Sequence, residues 1–190
     1  MVNLTRIYTR TGDAGETRLG DNSVTSKTDP RLAAYADVDE LNSQIGFAIA
    51  AGSLDEDVAG VLTTIQNDLF DVGADLCTPV VENPEYPPLR VEQAYIDRLE
   101  AWCDQYNEPL EALRSFILPG GTQAAALLHI CRTVARRAER AGWAAHAVHG
   151  DAMNLLAIKY LNRLSDLLFI LARHANRDHG DVLWKPGGER

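Results

Sequence analysis

A chain of 190 residues with 46% apolar side chains is long enough for one well-buried core and short for two, so a single domain spanning 1–190 is expected. Its formal net charge of −9 excludes a global field that would gather nucleic acid or an anionic membrane, so an anionic ligand needs a local basic island. No basic-then-apolar leader opens the chain and no apolar run approaches the ~20 residues of a membrane span, which makes a cytoplasmic location the expectation.

The segment Thr9-Arg10-Thr11-Gly12-Asp13-Ala14-Gly15-Glu16-Thr17-Arg18-Leu19-Gly20 interleaves glycines, threonines and arginines before any helical pattern begins. Glycines let backbone N–H groups converge on an anion, while hydroxyls and guanidiniums add donors and charge, so residues 1–28 are read as a phosphate-binding loop. A glycine-rich surface turn is the alternative that composition leaves open. Neither Gly-x-x-x-x-Gly-Lys nor Gly-x-Gly-x-x-Gly occurs there, which removes the main support for a P-loop or dinucleotide fold.

Asp29-Pro30 reads as a helix start, and Ala34, Val38, Leu41, Ile45 and Ala48 form its apolar stripe to about Gly52. Asp39, Asn42, Ser43 and Gly46 make a second, polar and small face. Ser53 with Glu56 offers a capping box for a second helix, whose Val58, Leu62, Ile65, Leu69, Val72 and Leu76 keep the same alternation up to Pro79. A proline-rich connector (78–90), a short third helix (91–106) and a loop (107–121) follow. Thr122 is placed to cap a fourth helix to about His149, and a fifth (151–177) turns Leu161, Leu164, Leu168 and Leu171 inward. Residues 178–190 read as a tail. No element calls for a sheet; the expectation is an all-α antiparallel bundle of four or five helices over 29–177.

The fourth helix carries Arg132, Arg136, Arg137 and Arg140. Arg132, Arg136 and Arg140 share one face, where like charges cost roughly 0.2–0.5 kcal/mol per pair unless an anion lies between them. A carboxylate such as Asp39 or Asp166 would serve, and so would a nucleotide triphosphate, whose oxygens suit guanidinium forks; a solvated basic face is the remaining alternative. On the fifth helix Asn162, Ser165, Asp166, Phe169 and Arg173 share a face distinct from the leucine stripe, which favours a site or an interface. The odd number of cysteines, Cys77, Cys103 and Cys131, reads as reduced, buried thiols. Di-iron chemistry is set aside because no Glu-x-x-His occurs, and His129, His146, His149, His174 and His179 lack metal-ligand spacing.

The opening Tyr8 to Thr17, Val38-Asp39-Glu40-Leu41-Asn42, Phe116 to Gly121, Arg136-Arg137-Ala138-Glu139-Arg140 and Asn162-Arg163-Leu164-Ser165-Asp166 together closely resemble the PduO-type ATP:cob(I)alamin adenosyltransferases, in order and over nearly the whole chain. The resemblance implies a homotrimer of ferritin-like up-and-down bundles, with an active site in each subunit interface that forms adenosylcobalamin from ATP and cob(I)alamin and releases triphosphate. It further implies ATP contacts from Thr9, Arg10, Thr11, Gly12, Asp13, Gly15, Thr17, Arg18, Lys27, Arg136, Arg137, Glu139, Arg140 and Asn162. Asp39 and Arg132 resemble the family's inter-subunit salt bridge beside the corrinoid, Phe116 the aromatic that occupies the lower face of cobalt, and Asp166, Phe169 and Trp184 are assigned to the corrinoid side. Phe116, Arg132, Asp39 and Arg136 are the residues expected to carry the reaction. Magnesium is expected through the ATP phosphates, and a reductase and an adenosylcobalamin-dependent mutase are expected partners. Arg10 stands where lysine is common in the family, which keeps the charge but not its point geometry. The rival readings are an ATP-sensing bundle without chemistry and a plain ATPase.

Overall fold

The computed structural model describes residues 8–189. Five helices dominate it: α1 (Pro30–Ala51), α2 (Glu56–Leu76), α3 (Gln93–Asn107), α4 (Gln123–His149) and α5 (Leu155–Ala175). They are preceded by a hairpin of β1 (Glu16–Arg18) and β2 (Val24–Ser26), antiparallel with Thr17 opposite Thr25. The sequence reading missed this hairpin because its three-residue strands are polar and carry no apolar alternation. It is held by its turn instead: Asp21 Oδ1 accepts from Ser23 N at 2.9 Å and Ser23 Oγ at 2.6 Å, and Asn22 takes φ +66°.

The expected apolar stripes are the observed core. Val38, Leu41, Ile45, Leu62, Ile65, Leu69, Leu161, Leu164, Leu168 and Leu171 are all essentially sequestered from solvent. α4 lies between α1 and α5, α2 packs on α1 and α3 on α5. The buried side of α4 is built largely from Ala124, Ala125, Ala135, Ala138, Gly142 and Ala145. Such small residues let neighbouring backbones approach closely while α4 turns its long side chains outward.

Helix ends follow their capping chemistry, with two departures. Asp29 accepts from Arg31 N at 2.8 Å and also meets His149 Nε2 at 2.8 Å, tying the start of α1 to the end of α4. Burial alone would raise the Asp29 carboxyl, but the Arg31 amide and the His149 and Thr25 side chains outweigh it and hold it below the usual carboxylate range. Thr122 caps α4 through Ala125 N at 3.2 Å. The Ser53–Glu56 capping box does not form: Ser53 has φ +49° and the cap is Asp55, whose carboxylate instead meets Arg177 at 2.8 Å. α5 begins at Leu155 rather than 151, because Gly150–Ala152 forms a 3₁₀ turn and Asn154 accepts from Leu156 N.

Buried polar groups bind the elements together. Arg31, 1% exposed, donates to the carbonyls of Leu76 and Ala152, stitching α1 to the end of α2 and to the 3₁₀ turn that precedes α5. Asp75 takes Arg90 at 2.5 Å, Val91 N at 2.7 Å and Asn154 Nδ2 at 2.6 Å, which orders the proline-rich connector. The cysteines are free as expected, Cys131 buried and the other two half-buried. Burial pushes the thiols of Cys77 and Cys103 up to about 11 and that of Cys131 to about 12, far from thiolate reactivity.

The C-terminal segment is not a free tail. Ile117 and Leu183 form an antiparallel bridge, Leu118 N donates to Val182 O at 2.7 Å and Trp184 N to Phe116 O at 2.8 Å. The same loop is pinned at its other end by Asn176, which is buried, accepts from Thr122 N and donates to Gly120 O. Gly121 sits against that amide at φ +101°, where an added Cβ would fall 2.4 Å from Asn176 Oδ1 and Nδ2. Gly121→Ala should therefore cost about 2 kcal/mol or more and lower Tm by about 4–8 °C, while Gly120→Ala, which meets nothing within 4 Å, should be near neutral. Equal melting temperatures for the two variants in a thermal scan would contradict this account of the loop.

Candidate functional site

Three groups of the expected residues stand on different elements. The first is the loop leading into the hairpin. Gly15 N donates to Gly12 O at 3.2 Å and Lys27 N to Gly15 O at 2.8 Å, so β2 closes the loop and delivers Lys27 to it. The Lys27 ammonium lies 2.9 Å from where a Gly12 side chain would begin, so the lysine tip rests directly on the glycine backbone. Gly15 at φ +85° and Arg10 at φ +62° supply the left-handed turns. Thr9 and Thr11 share a hydroxyl hydrogen bond of 3.0 Å, and Asp13 lies exposed in the turn between them and β1. Thr11, Gly12, Glu16, Thr17 and Arg18 line a cavity of about 350 Å³. Arg18 also braces the hairpin by donating to Asn22 O at 2.8 Å.

The second group is the outward face of α4 against α5. Arg132, Arg136, Ser165, Asp166 and Phe169 line a hollow of about 240 Å³, so the two separately noted helical faces do meet. Among the described residues no carboxylate comes within ion-pair distance of Arg132, Arg136 or Arg140. The nearby acids are committed elsewhere: Asp166 to Arg163 at 2.6 Å, Glu100 to Arg163 at 2.9 Å, and Asp37 and Glu40 to Arg137. Arg137, expected at ATP, thus clasps α1 to α4 in the single chain. Asp39 is exposed and makes no ion pair within the described chain. Burial, then the neighbouring Arg136, lowers the Arg132 guanidinium from its ordinary value. Glu139 Oε1 accepts from Asn162 Nδ2 at 3.0 Å and from Trp143 Nε1 at 3.4 Å, which joins those two expected residues one turn along.

The third group is Phe116 with Trp184. Phe116 lies in an apolar Phe-Ile-Leu run, yet it is 79% exposed. It meets Trp184 edge to face at 6.0 Å, carried by the strand pairing described above. The loop cavity and the arginine hollow share no lining residue, so within one chain they are separate.

Sequence reasoning passed over three residues here. Glu16 lines the loop cavity. Trp143 stands one turn beyond Glu139. His129 lies buried beneath Arg132, whose Nε donates to its Nδ1 at 3.3 Å; burial, then that guanidinium, pushes the imidazole below its ordinary value. The three-residue step from His129 to Arg132 on one helix was the available signal.

Comparison with known proteins bears on these features. A family model described as cobalamin adenosyltransferase matches residues 7–175. A corrinoid adenosyltransferase of Mycobacterium tuberculosis H37Rv is 64% identical over 100% of this chain and 97% of its own length, and one of Bacillus subtilis 168 is 41% identical over 92% and 89%. Among solved structures, a variant PduO-type ATP:corrinoid adenosyltransferase from Lactobacillus reuteri complexed with cobalamin and ATP superposes with TM-score 0.84 at 38% identity, covering 95% of this chain and 100% of that one.

The carboxylate-free arginine row makes its own prediction. Inorganic tripolyphosphate should raise Tm beyond what chloride of equal ionic strength does, and Arg136→Ala should weaken its binding by about 1.5–3 kcal/mol, the scale of a charge-assisted hydrogen bond. An unchanged tripolyphosphate response in the variant would remove Arg136 from the anion site.

Proposed function

The chain belongs to the cobalamin adenosyltransferase family, and on that premise we propose that its active site is completed where two copies meet in a homotrimer of helical bundles. It is an enzyme that makes adenosylcobalamin from ATP and a corrinoid. The observation that carries the proposed site is the row Arg132, Arg136 and Arg140, which no carboxylate among the described residues neutralises.

The chemistry needs alignment more than acid or base. Cobalt(I) attacks the 5′ carbon of ATP; its electron pair forms the cobalt–carbon bond while the carbon–oxygen bond breaks and triphosphate leaves with those electrons. Charge grows on the leaving group, so preorganised donors act on it: the Thr9 to Thr17 amides and hydroxyls, Arg10, Arg18 and Lys27 from one chain, and Arg136, Arg137 and Arg140 from α4. Arg137 joins them by exchanging its α1 carboxylates for phosphate. Glu139 and Asn162, already paired, hold the nucleoside. Magnesium comes with the phosphates, which supply its ligands.

The corrinoid lies towards Arg132, Asp166, Phe169, Phe116 and Trp184. Asp39, exposed and without an ion pair among the described residues, pairs with Arg132 of a neighbouring copy. A wedge of exposed aromatic surface and a charge pair beside a second large ligand have no use in an ATP sensor, which favours catalysis. The chain acts as one domain, 1–190, in the cytoplasm where ATP is supplied, fed by a reductase and serving an adenosylcobalamin-dependent mutase.

Phe116 is the sharpest test. Its ring excludes the lower axial ligand of cob(II)alamin and so eases reduction to cobalt(I). Phe116→Ala should nearly abolish turnover from cob(II)alamin with a mild reductant, spare more activity when cobalt(I) is supplied ready-made, and leave ATP affinity little changed. Because the ring is mostly solvent-exposed, Tm should hardly move. Equal losses in both assays, followed by visible absorption under anaerobic conditions, would contradict the redox role.

A further inference from the structure

His129 belongs to none of the groups above, yet it is the only described residue that hydrogen-bonds the Arg132 guanidinium. Its ring is 3% exposed and stands edge to face with Phe169 at 6.1 Å, so packing fixes the plane in which it can accept a hydrogen bond. A guanidinium only donates, so Nδ1 must be the accepting nitrogen and the neutral ring carries its proton on Nε2. That Nε2 is buried with no hydrogen-bond partner among the described residues. Asp181 acts electrostatically on the ring, its own Oδ1 likewise buried without a partner and its Oδ2 held by Arg173 at 2.9 Å. Asp181 immediately precedes the Val182–Trp184 segment that pairs with Phe116. The imidazole therefore stands between the C-terminal strand and the arginine row.

We propose that His129 is a positioning residue for Arg132, taking its Nε–H so that the two terminal nitrogens are turned towards the corrinoid side. A guanidinium has five N–H donors in a fixed fork, and occupying the inner one fixes the direction of the outer four. Phe169, which lines the same hollow as Arg132, holds the imidazole that does this. The effect falls on the corrinoid half of the reaction, because neither His129 nor Phe169 lines the loop cavity. This inference rests on the placement of Arg132 at the corrinoid.

The test compares His129→Leu, His129→Asn, Arg132→Ala and the His129→Leu/Arg132→Ala pair, reading equilibrium binding of cob(II)alamin at saturating ATP, the affinity for ATP, and Tm. His129→Leu removes the acceptor and should weaken cob(II)alamin binding about tenfold with ATP affinity changed less than about twofold. His129→Asn puts a carbonyl oxygen near the place of Nδ1 and should recover most of that loss, even if the smaller side chain lowers Tm. In the Arg132→Ala background, His129→Leu should add nothing. A lowered Tm with unchanged cob(II)alamin binding in His129→Leu, an Asn variant no better than Leu, or additive losses in the pair would each overturn the proposal. Wild-type cob(II)alamin binding by Arg132→Ala would overturn the placement of Arg132 and this inference with it; damage to Arg132→Ala beside an unaffected His129→Leu would overturn this inference alone.

Discussion

Three guanidiniums in register on one helix, in a chain with nine more negative than positive charges, are the constraint around which the rest is arranged. Arg132, Arg136 and Arg140 repel one another by a few tenths of a kcal/mol per pair, and the fold sets acids on the helices around them, with Asp166 lining the same hollow as Arg132 and Arg136. It spends those acids on other cations: Asp37 and Glu40 on Arg137, Asp166 and Glu100 on Arg163. Sorting of this kind keeps a cationic strip on a protein whose net field would otherwise repel a polyphosphate. The alanine-lined inner face of α4 lets the helix sit deep between α1 and α5, so the strip rides on a rigid element.

The same logic of forgone stability holds at Phe116. Burying a phenylalanine is worth roughly 1.5–3 kcal/mol, yet this ring is displayed to solvent on a loop whose backbone is fixed from both sides. Asn176 and Gly121 pin one end, and pairing with Val182–Trp184 pins the other. A fixed backbone under an exposed aromatic presents the ring in one place, which lowers the ordering cost of any contact it makes.

Periodicity made the helices legible, since the stripes from Ala34 to Ala48 and from Val58 to Leu76 depend only on local spacing and burial. The caps Asp29 and Thr122 were legible for the same reason, as their partners lie two or three residues away. Ser53 failed as a cap because a distant residue, Arg177, draws Asp55 into a different start for α2. The hairpin escaped because polar three-residue strands leave no pattern, and the docked C-terminal strand escaped because its partner lies some 65 residues upstream. In the candidate site the arginine row and the loop were visible as composition and spacing. That Arg137 belongs to α1 is a tertiary fact with no local signature, whereas Arg163 with Asp166 and His129 with Arg132 are three-residue steps on one helix that spacing could have offered.

The central claim is that the arginine row is answered from outside its own chain, by ATP phosphates and by Asp39 of a neighbouring copy. Mixing two variants tests it directly: refold Asp39→Arg subunits together with Arg132→Asp subunits and assay anaerobic adenosylation of chemically reduced cobalamin. Each variant alone should be nearly inactive. In random trimers about one interface in four joins an intact Arg132 from one subunit to an intact Asp39 from the other, so the mixture should regain roughly a quarter of wild-type activity. A mixture no more active than its parents, although native mass spectrometry resolves the masses of mixed trimers, would contradict a site shared between subunits.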